Sequence, residues 1–274
     1  HHQALDLAER IDNLWNQSFS RLHVGNVFFE YGDPAHAIET METCIRFGKE
    51  AGFIVSEIWA QADLGWVWAS LGQSDRGLVC AHAAHAKAET HFQVWRPFTL
   101  AMLSRIHTAR GEPVAAQEYL QQAERLHDPN QFIWAGDFQL EVARTEFEMA
   151  RGDFARAEKL AGQLIAHEQA MEFAFNVHAV QCLKGQALLA LNRLEEAGAA
   201  FAEAQRIADA RGSIWIGWQV FAAQSELQTR LGNRAAASEL HARAREIVNR
   251  IAEKTPTAAR ESFLNLPKVR AVMN

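Results

Sequence analysis

Residues 54–92 read IVSEIWAQADLGWVWASLGQSDRGLVCAHAAHAKAETHF. Two helical runs flank a short turn at Gly72 in this stretch. Seven residues before the turn stands Gly65, five after it Gly77, and twelve after it Ala84. A glycine inside a helix costs about 1 kcal/mol relative to alanine, so something must offset it. Close approach of two antiparallel helices does, because a larger side chain would clash there. The stretch therefore reads as helix A, a tight turn, and helix B.

The same grammar runs through the chain. Turn residues fall at Gly32, Gly72, Gly111, Gly152, Asn192 and Gly232, with spacings of 40, 39, 41, 40 and 40 residues. Seven residues before them stand Gly25, Gly65, Ser104, Thr145, Gly185 and Ser225, all small. Five residues after them stand Ala37, Gly77, Ala116, Ala157, Ala197 and Ala237. Pro34 and Pro113 share one repeat position, in the first turn of helix B, where proline's missing N–H costs nothing. Helix A is expected over 15–31, 54–71, 94–110, 136–151, 174–191 and 214–231. Helix B is expected over 34–51, 74–90, 113–126, 154–170, 194–211 and 234–253. The fold class is all-α, a right-handed superhelical solenoid of antiparallel helix pairs.

Chain 1–274 is read as a single helical-repeat domain. Residues 1–14 form a partial repeat, helix B only, as expected of a chain cut from a longer protein. Six repeats follow over 15–53, 54–92, 93–131, 132–172, 173–212 and 213–255. Residues 256–274 form a C-terminal cap, since a last repeat otherwise exposes its stacking face.

Composition excludes several classes. The 274 residues carry 27 Lys+Arg against 33 Asp+Glu, a net charge of −6, with 49% apolar residues. Such a chain is too apolar to be disordered and too acidic for wholesale phosphate binding. No uncharged apolar run is long enough for a membrane span. Cys44, Cys80 and Cys182 form no CxxC pair and read as reduced thiols, so a cytoplasmic location is expected.

The small–small pattern with its turn resembles the tetratricopeptide repeat. Leu64-Gly65 with Trp68 and Ala84 match that motif, and Lys184-Gly185 with Leu188, Ala197, Phe201 and Ala204 match it in part. Thr145 and Glu148 depart from it. The long period is similar to repeats of maltose-regulator-like bacterial transcription activators. The tail, ARESFLNLPKVRAVMN, resembles the C-terminus of multidomain bacterial proteins that join a nucleotide cyclase or kinase, a STAND- or AAA-type ATPase and such a solenoid. That resemblance implies catalytic domains upstream and a sensor or scaffold role for this part.

The resemblance also implies that helix A lines a concave groove. The matching positions bring forward Phe19, Asn26, Trp59, Trp66, Phe98, Arg105 and Glu146 as partner-contacting residues, with Phe29 further along the groove. Trp59 and Trp66 lie seven apart on one helix face. These aromatics fit a groove, and they equally fit packing between repeats. A second aromatic series, Trp15, Trp95, Trp134, Phe175 and Trp215, opens helix A in five repeats, with Val55 in the same place in repeat two, and reads as packing. Arg105 is the one cation among the groove positions, so a clamp for an acidic peptide tail is not expected. An apolar or mildly basic segment fits better.

His82 and His85, three residues apart near Cys80 and His91, lack a third and fourth ligand at fixed spacing, so no metal site is assigned. Arg151-Gly152-Asp153 is explained by its turn. No phosphate loop, GxGxxG, HExxH or GxSxG occurs. No catalytic residue and no cofactor is assigned. The expected function is a non-enzymatic protein- or peptide-binding scaffold, with no direct nucleic-acid or membrane partner. The uncovered N-terminal repeat is expected to self-associate. The alternative is a small-molecule-sensing domain with Asn26, Arg105 and Glu146 converging on a ligand.

Overall fold

The computed structural model describes residues 7–131, 134–171 and 176–274. Among them the chain forms helices and no strand. They run consecutively as α1 (Leu14–Glu30), α2 (Pro34–Glu50), α3 (Ile54–Ser70), α4 (Ser74–His91), α5 (Arg96–Arg110) and α6 (Pro113–Leu126). Then come α7 (Trp134–Ala150), α8 (Phe154–Ala170), α9 (Val177–Ala190), α10 (Leu194–Arg211), α11 (Ile214–Arg230) and α12 (Arg234–Glu253). Two short helices follow, α13 (Thr257–Leu264) and α14 (Pro267–Met273). A 3₁₀ turn at Gln93–Trp95 precedes α5, where the sequence pattern suggested continuous helix from 94. The expected helical positions 174–175 and 3–6 lie outside the described residues.

The turns form as their residues require. Gly32, Gly72, Gly111, Gly152 and Gly232 have φ of 67, 77, 76, 82 and 79°, and Asn192 has φ of 59°. Only glycine, or asparagine at a smaller penalty, adopts this left-handed conformation readily. In α2 and α8, helix B then starts on a side-chain cap. The Asp33 carboxylate accepts the His36 N–H at 3.3 Å, and Asp153 accepts the Arg156 N–H at 3.2 Å.

Close helix approach explains the small residues. A Cβ on Gly65 would stand 2.8 Å from the Gly77 carbonyl oxygen, and one on Gly77 would stand 2.6 Å from that of Gly65. At Gly185 the obstacle is the Phe201 ring, at 2.4 Å. Serine at this position uses its hydroxyl across the same gap. Ser104 Oγ donates to the Ala116 carbonyl at 2.9 Å, and Ser225 Oγ to that of Ala237 at 2.8 Å. Thr145 differs, because its hydroxyl donates back along its own helix to Glu141 O at 2.8 Å.

Helices A and B bury different amounts of themselves. α3 buries Ile58, Ala60, Ala62, Leu64, Val67, Trp68 and Ala69, spread around its circumference. α2 buries one stripe, Ala37, Ile38, Met41, Cys44 and Gly48, at three- and four-residue spacing. A helix packed on both sides needs the first pattern and an outer helix the second.

The chain divides into two compact units. Unit 1 comprises His1–Phe29, Asp33–Leu140 and Lys254–Phe263; unit 2 comprises Glu30–Gly32, Glu141–Glu253 and Leu264–Asn274. Within unit 1, α3 packs on α4 and α5, and α5 on α6. Within unit 2, α9 packs on α8, α10 and α11, and α11 on α12.

The terminal stretch is shared between the units. In unit 1, Ser262 Oγ donates to Leu71 O at 2.8 Å and accepts from Gln73 Nε2 at 2.8 Å. The Lys254 carbonyl accepts the Ala35 N–H at 3.1 Å, and its ammonium lies 3.3 Å from Asp33. In unit 2, α14 packs on α12.

Candidate functional site

In unit 1 the helix A positions singled out by sequence form one connected set. Arg105 on α5 lies over the Trp66 ring of α3, its Cζ 3.8 Å from the ring centre. Its Nη1 donates to Gln139 on α7 at 2.6 Å. Trp59, two turns before Trp66 on α3, meets His23 edge-on at 5.8 Å and Trp95 at 5.4 Å. Trp59 and Trp66 are both half-buried. Asn26 Nδ2 on α1 donates to Asp63 Oδ2 on α3 at 2.9 Å.

Other candidates belong to the core. Phe98 is 1% exposed, packed edge-on against Trp95 at 5.3 Å. Phe29 is buried too. Both fill space between helices and present no ring to a partner. Phe19 is exposed and stacks with Trp15 at 6.0 Å, and Trp15 stacks on Phe53 at 4.0 Å. Glu146 is half-buried and falls in unit 2. Of the helix-opening aromatics, Trp95 and Trp215 are buried and Trp15 is exposed. The Trp134 side chain and Phe175 lie outside the described residues.

Asp63 was not singled out by sequence and is the most perturbed acid of the set. Burial pushes its pKa up to about 6. Asn26, the Arg105 charge and the Trp59 indole N–H partly offset that rise. Burial likewise lowers the pKa of His23. One signal was available. α3 carries only Glu57 and Asp63 as charged residues, with no Lys or Arg. Partners had to come from other helices, and Lys87 on α4 pairs with Glu57.

The remaining candidate chemistry resolves into structure. His85 Nδ1 is 2.8 Å from Thr99 Oγ1, and its Nε2 is 3.5 Å from Glu89. His82 sits edge-on to Tyr119 at 6.1 Å. Among the described residues no group of three His, Cys, Asp or Glu gathers to hold a metal. Burial raises the thiol pKa of Cys44 and of Cys182, the latter to about 12.

Unit 2 does assemble a serine, a histidine and an acid. His178 Nε2 lies 3.2 Å from Ser213 Oγ and 3.1 Å from Glu30 Oε2, and Ser213 also bonds Glu30. A nucleophilic relay needs the acid on one ring nitrogen and the serine on the other. Here all three meet at Nε2, and Nδ1 is buried without a partner. The arrangement is a hydrogen-bonded knot.

Comparison with known proteins agrees with this architecture. The tetratricopeptide repeat family model matches residues 178–211. A signal transduction ATPase with numerous domains (STAND) carrying a tetratricopeptide repeat sensor, from Pyrococcus horikoshii, is similar with a TM-score of 0.60 at 12% identity. The match covers 97% of this chain, which spans 37% of the length of that protein. A tetratricopeptide repeat protein from Parabacteroides merdae gives a TM-score of 0.48 at 11% identity, covering 94% of this chain and 100% of the other. No curated protein matches the sequence. The fold is all-α, of the tetratricopeptide-repeat solenoid class. No helix among the described residues is long and apolar enough to cross a membrane.

Proposed function

We propose that this chain is a non-catalytic scaffold that holds a protein or peptide segment along the helix A faces of unit 1. The observation carrying this reading is the Trp66–Arg105 stack beside the half-buried Trp59 and the Asn26–Asp63 pair. Aromatic and arginine side chains already held in place lose little freedom on binding, so little ordering entropy opposes the partner. Gln139 and Trp66 already engage Arg105, which supports an apolar or mildly basic segment over an acidic one. In this reading the six repeats at the boundaries given by sequence act as one array. The array is the sensor part of a larger cytoplasmic bacterial signalling protein with cyclase or ATPase domains upstream. The fold shared with a STAND protein's repeat sensor supports that placement.

The test is a capture experiment from source-cell lysate with wild type and a Trp59→Ala/Trp66→Ala variant whose helicity is intact by circular dichroism. A protein held by wild type and lost by the variant is the expected result. A protein held equally by both moves the site off these helices and ends the reading. The exposed Leu7, Ile11, Trp15 and Phe19 support self-association as well. Sedimentation velocity that finds only monomer at high concentration removes that part.

A further inference from the structure

A cavity of about 470 Å³ opens in unit 2 between α9, α11, α12 and α14. It falls within the usual size of small-molecule sites, roughly 300–1,000 Å³. Leu189 and Ala190 of α9, Trp218 and Ala222 of α11, and Ala271 and Val272 of α14 give it apolar walls. Gln186 and Glu226 also line it, each one residue after the small position of its helix A, and so does Gln219, six residues before Ser225. These repeat positions hold Trp66 and Trp59 in unit 1. Where unit 1 carries two indoles, this lining carries two carboxamides and a carboxylate.

The charged groups of the lining are already engaged. Arg230 donates to the Leu189 carbonyl at 2.8 Å and to Glu226 at 2.5 Å. Lys268 is engaged within the protein as well, with its ammonium 5.9 Å from the Trp218 ring centre. The hydroxyl protons of Ser225 and Thr229 go to the carbonyls of Ala237 and Ser225, at 2.8 and 2.9 Å. The glutamines have more left to offer. Gln186 Nε2 gives an N–H to Cys182 Sγ at 3.7 Å, and Gln219 Nε2 gives one to Trp215 O at 3.3 Å. A primary amide has two N–H donors, so each keeps one. Neither Oε1 meets a donor among the described residues.

A side chain with a spare carbonyl and a spare N–H is matched by a group that both donates and accepts. A carboxylate ligand brings no donor for the two Oε1 atoms. An ammonium ligand brings no acceptor for the N–H groups, and it meets Arg230 and Lys268 as like charges in the same lining. We infer that this cavity binds a small uncharged carboxamide on an apolar body, the amide pairing with Gln186 and Gln219 and the body lying against Ala190, Ala222 and Ala271. The site lies within unit 2 and is independent of the partner surface in unit 1.

Phenylacetamide, N,N-dimethylphenylacetamide, phenylacetate and 2-phenylethylammonium serve as probes, titrated into the full chain by calorimetry. Wild type is expected to bind phenylacetamide saturably at one site. The other three are expected to bind at least about 10-fold more weakly, since each leaves a glutamine group unmatched. Gln186→Met/Gln219→Met keeps side-chain length at two half-buried positions. It is expected to weaken phenylacetamide about 10-fold, as two neutral hydrogen bonds are lost, and to leave the dimethyl compound unchanged. Ala190→Phe, at an exposed position, is expected to fill the cavity and abolish binding. Absence of saturable phenylacetamide binding by wild type overturns the inference. So does binding of any other probe as tight as that of phenylacetamide, or phenylacetamide binding that the double glutamine variant or Ala190→Phe leaves unchanged.

Discussion

Two residues before the small position of helix A, unit 1 holds His23, Asp63 and Met102, whereas unit 2 holds Ala143, Leu183 and Ala223. The turns and close approaches follow the same rule in both units. What changes is the lining. Unit 1 has tryptophans and an arginine around a buried acid. Unit 2 has alanines around an open cavity. The repeat fixes where helices run, and the positions it leaves unconstrained decide what each unit can hold.

The largest test of this comparison is steric. Gly65→Ala puts a methyl against a backbone carbonyl, with no side chain able to move aside. The expected loss is about 3 kcal/mol, at the upper end of overpacking costs. Gly185→Ala meets a side chain, Phe201, and should cost about 2 kcal/mol. Phe201→Leu should recover part of that loss, while Ala81→Gly should recover none at Gly65. Urea denaturation followed by circular dichroism reads all four variants. Equal rescue at both sites breaks the distinction between backbone and side-chain contact.

A second test uses pH, and only unit 1 carries it at this position. The pKa of Asp63 is raised from 3.8 to about 6 in the fold. Its contribution is therefore fully present below about pH 4 and falls as pH rises through 6. A shift of about two units corresponds to on the order of 3 kcal/mol. Asp63→Asn should flatten the urea midpoint between pH 4 and 6.5. An unchanged slope in that window shows that Asp63 titrates normally.

The smallest expected effect sharpens the comparison from the other side. Gly111 in unit 1 and Gly152 in unit 2 have positive φ and open space around the missing Cβ. Alanine at either position should cost about 1 kcal/mol, from backbone conformation alone. The two values should agree, because the turns obey one rule. Thermal melts of the two variants check this.

Much of the fold was legible because glycine, serine and alanine recur at fixed intervals, and each has a steric reason to be there. The turn residues are read directly from φ preference. The site was less legible. Phe98 and Trp59 are both aromatics on helix A, yet one is core and the other half-buried. Periodicity places a residue on a face without saying which neighbour covers that face. Asp63 sits between the two repeat offsets that the resemblance brings forward, so the repeat pattern does not mark it. The split of 254–274 between α13 in unit 1 and α14 in unit 2 had no local signal at all. Its partners at Asp33, Leu71 and Gln73 are far away in sequence.

That distance has a consequence for how the chain is made. Ser262 bonds Leu71 and Gln73 across 191 and 189 residues. Residues 33–73 leave the ribosome before residues 254–263, and the turns at Asp33 and Gly72 wait for that later stretch. At roughly 5–20 residues per second, that wait lasts on the order of 10 to 40 seconds. During synthesis the turns at Asp33 and Gly72 thus emerge well before the residues that complete them.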